Sequence, residues 1–383
     1  MSTDATPWDS LSGQYRLHPG SAPSIVGARP VLGAGRLGRL LQGQRGEQVG
    51  RTLSSVFTLC AHAHRGMADT VLAAAAGVPL SEAVIEAPVR LLLETARDHL
   101  RSMALDWPQR LPDLGTGAQQ IDWLRGCPLA LGTARPPADA DAAWQTLAAL
   151  RVWLESAVLK QDVTRWLADQ RDPDALACWC NANAERLLPA RCLAAWYPLA
   201  HTLTPATRCL DPLNEDPTLQ TDQLQQLAQR LADEPDFVQR PTWLGQCAET
   251  GPWTRLRHRP TRQSIRASAW TRLNARWIEL MELAAADPHT PELDKTPLLA
   301  SGALRLGAGR ALAWCEMARG LLLHWVQLDA DGAVQDYRVL APTEWNFHPA
   351  GSLAQALAAL SPGDTATART LAAAFDPCVA CTV

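Results

Sequence analysis

Residues 49–76 read VGRTLSSVFTLCAHAHRGMADTVLAAAA, and this stretch sets the expected architecture. Apolar side chains recur in it at close to helical spacing, which predicts one long helix. The apolar positions are Val49, Leu53, Val56, Phe57, Cys60, Met67, Val71 and Leu72. Gly77-Val78-Pro79 follows and ends the helix, because glycine and proline interrupt helical backbone.

A second long helix is predicted over residues 82–105, with Ser81 as its N-cap. Pro88 falls inside it and should kink the helix or delay its start. Two long helices joined by a short Gly-Pro break form an antiparallel pair, so this part of the chain is expected to be a helical bundle.

The rest of the chain is also mostly helical in its pattern. Further helices are predicted over residues 37–45, 116–125, 138–170, 220–233, 263–286, 352–360 and 365–375. Residues 1–30 are rich in Gly, Pro and Ser and are expected to be irregular. Prolines break the pattern between residues 173 and 240, which makes that region harder to interpret.

Asp329-Ala330-Asp331-Gly332 is a turn signal between two strand-like runs at residues 321–328 and 334–340. These would be the arms of a hairpin. The sequence therefore predicts a mainly α protein, a helical bundle with a small antiparallel β-hairpin or sheet near its C-terminus. Neither a repeat nor a long linker is evident, so we expect a single domain over residues 1–383.

Composition excludes several classes of protein. The chain has 47% apolar residues and a net charge of -4, so neither a basic patch for nucleic acid nor an acidic tail is expected. Its longest apolar runs, such as residues 71–78, are far too short to span a membrane. The first seven residues lack the basic and apolar regions of a signal peptide, so we expect a cytoplasmic protein.

Ten cysteines in a chain without an export signal are expected to be reduced thiols. Cys378 and Cys381 form a CxxC pair, and Cys60 precedes His64 in a Cys-x3-His spacing. Because thiolates suit transition metals such as iron and nickel, Cys60, Cys378 and Cys381 are candidate metal ligands. Cys178-Trp179-Cys180 is a poorer candidate, since thiols two residues apart on a helix point in different directions.

Four segments, in order, resemble the large subunit of nickel-iron hydrogenases, and the third of them, residues 316–346, carries two motifs. Residues 57–64, FTLCAHAH, match its RxCGxCxxxH motif, with Cys60 as the second cysteine and Phe57 in place of the first. Residues 249–255, ETGPWTR, are similar to ExGPLAR. Residues 316–320, EMARG, and 342–346, PTEWN, are similar to EAPRG and PTTWN. Residues 376–381, DPCVAC, match DPCxxC, whereas residues 110–245 carry little resemblance.

The resemblance implies roles for individual residues. In that family four thiolates hold nickel and an iron that carries carbon monoxide and two cyanides. Cys60 and Cys381 match the two bridging thiolates, and Cys378 matches a thiolate that binds nickel alone. Arg319 and Thr343 match residues that donate hydrogen bonds to the cyanides. His64 matches the histidine that can donate to a bridging thiolate.

The departures from the family pattern point away from catalysis. Phe57 cannot bind nickel, the histidine expected three residues after Cys381 is absent, and Gly38 falls where a proton-carrying glutamate is expected. This combination resembles the HupK/HoxV hydrogenase maturation proteins. The resemblance implies a non-catalytic scaffold that holds the Fe(CN)2CO cofactor precursor, with nickel not expected.

The same resemblance implies the scaffold's partners. A HypC-type chaperone and a HypD-type protein are the expected donors of the iron fragment, and the hydrogenase large-subunit precursor is the expected recipient. Nucleic acid and membrane are not expected partners. Three alternatives stay open: a divergent hydrogenase large subunit, a structural zinc site of Cys60, His64, Cys378 and Cys381, and a thiol redox protein that uses Cys378 and Cys381.

Overall fold

The computed structural model describes residues 13–33, 35–79, 87–111, 118–129, 137, 139–206, 208–210, 213, 217–259, 262, 265–288 and 298–383. Apart from a single short turn, Trp107–Gln109, the α-helices are α1 (Arg36–Leu41), α2 (Glu47–Val56), α3 (Ala61–Ala76), α4 (Ala87–Arg101), α5 (Ala140–Trp153), α6 (Val163–Asp169), α7 (Pro173–Asn183), α8 (Leu188–Ala200), α9 (Pro217–Asp233), α10 (Pro252–Leu256), α11 (Ala269–Ala285), α12 (Pro342–Asn346), α13 (Ser352–Ala358) and α14 (Thr365–Phe375). The strands are β1 (Gln14–Leu17), β2 (Ile25–Ala28), β3 (Ser301–Gly307), β4 (Arg310–Met317), β5 (Gly320–Leu328), β6 (Val334–Leu340) and β7 (Ala380–Thr382). Over these ranges no helix is both long and apolar enough to cross a membrane.

The predicted fold class is confirmed: the protein is mainly helical, with an antiparallel sheet near the C-terminus in the order β3-β4-β5-β6. The predicted hairpin forms its β5–β6 half. In the turn, Asp329 Oδ1 accepts hydrogen bonds from the backbone N–H groups of Asp331 and Ala333, at 3.0 and 2.8 Å. Residues 301–317 add two strands that the sequence pattern did not predict.

Strand β5 is buried on both faces because helices cover the sheet on both sides. Leu322 and Val326 face the main core with α3, whereas Leu323 and Trp325 face a second apolar cluster with α9. Side chains alternate along a strand, so His324 points to the same side as Leu322 and Val326. This alternation directs His324 toward α3.

A second, three-stranded sheet joins distant parts of the chain in the order β2-β1-β7. β7 pairs in parallel with β1, which places Cys381 opposite Tyr15. The prediction that residues 1–30 are irregular is therefore wrong at β1 and β2. Each of these strands has only four residues, and β1 is completed by a partner from the far end of the chain, so local pattern could not reveal them.

The single helix predicted over residues 49–76 is wrong, because the helix breaks at Phe57. Its φ and ψ are -111° and 66°, and a short 3-10 segment, Thr58–Cys60, joins α2 to α3. The Ser54 hydroxyl lies 2.7 Å from the Gly50 carbonyl oxygen and 3.2 Å from that of Ala61, so it links the two helices across the break. The break sets Cys60 at the beginning of α3.

The helix predicted over residues 138–170 is also interrupted. α5 continues as a π-helical segment, Leu154–Leu159, and the chain then turns at Lys160, whose φ is 61°. Asp162 begins α6 by accepting a hydrogen bond from the Arg165 N–H at 2.9 Å. Lys160, in the left-handed conformation, thus ends the first helix, and the polar N-cap Asp162 starts the next.

Most other helix predictions are confirmed with shifted ends. The helix predicted at 365–375 matches α14, and those at 37–45, 220–233, 263–286 and 352–360 correspond to α1, α9, α11 and α13. For 82–105, the described part is α4 followed by a π-helical segment, Ser102–Asp106, whereas the Ser81 cap lies outside the described residues. The stretch at 116–125 is a 3-10 helix, Ala118–Leu124. The proline-broken region from 173 to 240 holds two helices that were not predicted, α7 and α8.

Hydrogen bonds join three of the sequence segments singled out above. Thr250 donates its backbone N–H to Asn346 Oδ1 and accepts from Asn346 Nδ2 at its carbonyl, both at 2.9 Å. Its hydroxyl oxygen accepts from the Leu321 N–H at 2.9 Å. Gly320, next to Leu321, has a φ of 129°, and a Cβ there would lie 2.6 Å from the Thr250 side chain.

We expect Gly320→Ala to lower the free energy of unfolding by about 3 kcal/mol, because it adds a steric clash to an unfavourable backbone conformation. Gly332→Ala is the matched control. It also has a positive φ, of 77°, but nothing lies within 4 Å of the added carbon, so it should cost about 1 kcal/mol. Guanidinium denaturation of both variants measures the difference, and equal losses would contradict the close packing of Gly320 on Thr250.

Candidate functional site

Cys60 and Cys378 lie in one buried region formed by α3, α12 and the chain after α14. Cys60 is buried, and Cys378 is half-buried. Thr343 Oγ1 lies 3.0 Å from Cys378 Sγ and accepts a hydrogen bond from the Cys378 N–H at 3.3 Å. Burial raises the pKa of the Cys60 thiol well above its usual range, and negative charge on Cys378 raises it further. The two thiols therefore act on each other electrostatically.

Arg319, in the turn between β4 and β5, brings a buried positive charge to these thiols. Its Nε lies 3.4 Å from Asp376 Oδ2, and its Nη1 lies 3.7 Å from Asp98 Oδ2. Burial opposes its charge, but Asp376, Asp98, Cys378 and Cys60 together raise its pKa above the usual value. Within the described part of the chain, Nε and Nη1 have ion-pair partners but no partner at hydrogen-bond geometry. They are donors with capacity for a ligand.

Arg29, which the sequence pattern did not single out, is a second buried cation at the site. Its Nη1 lies 3.4 Å from Glu344 Oε2, and its guanidinium carbon lies 5.4 Å from the centre of the Phe57 ring. Burial opposes its charge, but Cys378, Glu344, Cys60 and Tyr15 raise its pKa above the usual value. Nε of Arg29 and Oε1 of Glu344 have no hydrogen-bond partner among the described residues.

Phe57, which stands where the resemblance places a cysteine, packs its ring on His64. The two ring centres are 4.0 Å apart and the planes 12° apart. His64 Nδ1 lies 2.9 Å from His324 Nε2, and His324 Nδ1 lies 2.7 Å from the Tyr337 hydroxyl. Burial lowers the pKa of His324 to about 3 and that of His64 well below its usual value, so both rings are neutral.

This chain of neutral groups bears on the predicted role of His64. If the Tyr337 hydroxyl donates to His324, then His324 donates to His64 Nδ1, and the His64 proton stays on Nε2. In that tautomer His64 is a hydrogen-bond donor at Nε2, as its predicted role toward a thiolate requires.

Two carboxyl groups on α4 also face the site. Glu94 accepts hydrogen bonds from the backbone N–H groups of His62 and Ala63, at 2.9 and 2.8 Å, at the start of α3. Burial, aided by Asp98, raises the pKa of Glu94 to about 8. Burial raises the pKa of Asp98 to about 6, although Arg319 opposes the shift. The sequence motifs did not single out Glu94 and Asp98. The signal that could have identified them is the presence of two carboxylates four residues apart within a leucine-rich helix.

Cys381 has a different setting. It lies on β7, half-buried, and lines a cavity of about 500 Å³ together with Asp106, Arg110 and Arg369. Burial raises the pKa of its thiol to about 11, and Arg110 opposes the shift. The structure thus places Cys381 on the wall of an open cavity, whereas Cys60 is enclosed.

No group of three or more His, Cys, Asp or Glu side chains is arranged to hold a metal ion in the described ranges. Within these ranges, neither the three candidate ligands Cys60, Cys378 and Cys381 nor the four residues of the zinc alternative are gathered into one metal-holding cluster, and His64 Nδ1 already pairs with His324. On α7, Cys178 is exposed and Cys180 is buried, so this CxC pair points in two directions, as its spacing predicted.

Comparisons with known proteins agree with the resemblance read from the motifs. The family model described as "Nickel-dependent hydrogenase" matches residues 300–383. Hydrogenase expression/formation protein HoxV of Cupriavidus necator is 38% identical over 399 residues, covering 98% of this chain and 96% of its own length. Hydrogenase expression/formation protein HupK of Rhizobium leguminosarum bv. viciae is 30% identical, over 90% of this chain and 88% of its own. The crystal structure of an NAD+-reducing [NiFe]-hydrogenase in the H2-reduced state aligns with a TM-score of 0.48 and 15% identity, over 88% of this chain and 89% of that one.

The family-model match gives the class first: the C-terminal part of the chain is similar to nickel-dependent hydrogenases. Identity along nearly the whole length then decides the family. The chain belongs to the HoxV and HupK family of hydrogenase expression/formation proteins. The resemblance predicted from the motifs is confirmed.

We expect the buried Glu94 to make stability fall as pH rises between about 6.5 and 8. In this window the unfolded chain has already released the Glu94 proton, whereas the folded protein, with a pKa of about 8, retains it. The loss should approach ~1.4 kcal/mol per pH unit, and Glu94→Gln should flatten the dependence. Urea denaturation at a series of pH values measures both slopes.

Glu234→Gln is the control for this experiment. Glu234 is exposed and its pKa is lowered by its hydrogen bond with Arg230, so it is ionised in both states throughout the window. This variant should keep the wild-type slope. A wild-type slope in Glu94→Gln as well would show that the Glu94 proton is not held by the fold.

Proposed function

We propose that the protein is a non-catalytic scaffold in hydrogenase maturation. It holds the Fe(CN)2CO precursor on cysteine thiolates and passes it to a hydrogenase large-subunit precursor. The names of its relatives, hydrogenase expression/formation proteins, support a role in maturation. The observation that carries the proposal is the pair of buried guanidinium groups, Arg319 and Arg29, beside Cys60 and Cys378.

The donors of these arginines suit the chemistry of the fragment. Cyanide nitrogens accept hydrogen bonds, and a buried acceptor with negative charge requires donors. Iron(II) with two cyanides, one carbon monoxide and two thiolates is a dianion, and Arg319 and Arg29 place positive charge beside it although each already pairs with a carboxylate. Arg319 Nε and Nη1 and Arg29 Nε are buried donors without hydrogen-bond partners in the described part of the chain.

The same site is poorly suited to hydrogenase activity. Phe57, with its ring stacked on His64, leaves nickel without one of the four thiolates that the large-subunit resemblance requires. A scaffold benefits from this loss, since a complete set of four thiolates with both metals would trap the fragment. The role of Thr343 is then to hold Cys378 in place through its hydroxyl.

Transfer requires a route and partners. The cavity beside Cys381, with Arg110 and Arg369 on its wall, gives an anionic fragment a place to enter or leave. We propose a HypC-type chaperone and a HypD-type protein as donors and the large-subunit precursor as recipient, all in the cytoplasm.

Infrared spectroscopy tests the proposal. The protein is purified without oxygen from a host that carries the hydrogenase maturation genes, and iron, nickel and zinc are quantified on the same sample. We expect cyanide and carbonyl bands with iron and little nickel. Zinc without such bands would favour a structural site, and bands with stoichiometric nickel would favour a working hydrogenase.

The thiolates can be tested one at a time. Cys60→Ala and Cys381→Ala should abolish iron retention, because these positions match the bridging thiolates, whereas Cys378→Ala should weaken it less. Iron content and infrared band intensity per protein measure the loss. Equal loss in all three variants would contradict the bridging assignment.

Variants of Arg319 and Thr343 distinguish the proposed iron–cyanide site from a zinc site. Arg319→Ala and Thr343→Ala should reduce iron retention at least about tenfold, since each removes more than 1.4 kcal/mol of charge-assisted or thiol-positioning contact, roughly the value of one such bond. A closed zinc site requires neither side chain. Unchanged metal content in both variants would favour zinc.

A further inference from the structure

Arg29 places a permanent positive charge close to the Phe57 ring and to the thiols of Cys60 and Cys378. Its guanidinium carbon lies 5.4 Å from the Phe57 ring centre, and Phe57 in turn stacks on His64 at 4.0 Å. Glu344 is the ion-pair partner of Arg29, at 3.4 Å, and follows Thr343 directly in α12. The hydroxyl oxygen of Thr343 lies 3.0 Å from the sulfur of Cys378. These contacts form a continuous path from Cys378 to Phe57 through Arg29.

We propose that Arg29 is the metal-selectivity residue of the site: its guanidinium takes the place of a second metal ion beside Cys60 and Cys378 and so excludes divalent cations such as nickel and zinc. The inference rests on the proposed function, because it concerns which metal species the scaffold accepts. Phe57 replaces a cysteine that would be a metal ligand, and Arg29 adds a positive charge beside the remaining thiols of Cys60 and Cys378. The two residues act together, since the ring of Phe57 packs against the cation it helps to hold.

The electrostatics favour an anionic complex over a bare cation. A guanidinium is charged at any physiological pH, and in a buried site its charge is only weakly screened. The guanidinium of Arg29 disfavours a divalent ion at Cys60 and Cys378 and favours an iron–cyanide dianion, and its ion pair with Glu344 reduces both effects without cancelling them. Negative charges on Cys378, Glu344 and Cys60 stabilise the charged form of Arg29, which is the reciprocal of its effect on them.

Binding of metal ions alone tests the proposal on the purified, reduced apoprotein. Zinc and nickel affinities are measured by competition with a chromogenic chelator in the wild type, Arg29→Met and Arg29→Lys. Arg29→Met removes the charge and keeps a side chain of similar length, so the affinity for both ions should rise at least about tenfold. This gain corresponds to only a small part of the repulsion energy expected between buried charges a few ångströms apart. Arg29→Lys keeps the charge and should stay near the wild type.

Arg240→Met is the matched control. Arg240 lines the same cavity of about 300 Å³ as Arg29 and Glu344 but is itself exposed. Its removal changes the net charge equally, yet its charge is screened by water, so zinc and nickel affinities should change less than about twofold. The gain in Arg29→Met should also vanish when Cys378→Ala is added, since the thiolate is the proposed ligand.

Unchanged affinity in Arg29→Met, or an equal gain in Arg29→Lys or Arg240→Met, would overturn the proposal. If Arg29→Met fails to fold, as circular dichroism would reveal, Glu344→Gln gives the converse test. It removes the counter-charge of Arg29 and should weaken zinc and nickel binding, and a gain would count against the proposal. Infrared bands in the wild type without these affinity changes would leave the scaffold function standing and reject only the role of Arg29.

Discussion

The buried carboxylate of Asp376 is the constraint on which the site depends. A buried charge must be paired, and Asp376 is paired by Arg319 at 3.4 Å and by Arg276 at 3.5 Å. Arg276 comes from α11 and Arg319 from the turn after β4, so one carboxylate ties three distant segments together. Asp376 also ends α14 in the left-handed conformation, with a φ of 43°, which turns the chain toward Thr343 and delivers Cys378 to the site.

The neighbouring charges follow the same rule. Glu249 pairs with Arg272 at 2.8 Å and Glu279 with Arg255 at 2.8 Å, all of them buried. Glu279 also accepts a hydrogen bond at 2.7 Å from His99, whose pKa is lowered by burial. Glu249 and Arg255 begin and end the ETGPWTR segment. These buried ion pairs give the segment a structural role, which accounts for its resemblance to the family motif although it supplies no thiolate. Removal of one partner of such a pair leaves an uncompensated charge, which costs roughly 3–5 kcal/mol.

Much of the fold could be predicted from the sequence because its helices are local. Apolar periodicity located α14, and the Asp-Ala-Asp-Gly turn located β5 and β6. The same periodicity failed at Phe57, where the apolar pattern runs on through the break and the interruption depends on hydroxyl contacts and tertiary packing. It failed at β1 and β2 for another reason: β1 is completed by pairing with β7, which no local window contains.

The site was predictable only where a motif marks it. The motifs predicted Cys60, Cys378, Thr343 and Arg319, which the structure places in one buried region, and their roles stay predictions. Arg29, in contrast, lies in a Gly- and Pro-rich stretch without periodicity, and only the fold brings it to Phe57 and Glu344.

The parallel pairing of β7 with β1 has a consequence for how the protein is made. β7 is synthesised after the helices that separate it from β1 in the sequence, so much of this helical body can fold before the contact between the two strands forms. Until then Cys60 would lack the neighbouring thiol of Cys378. The buried region that holds both thiols would therefore form only after the helices between β1 and β7 have been made.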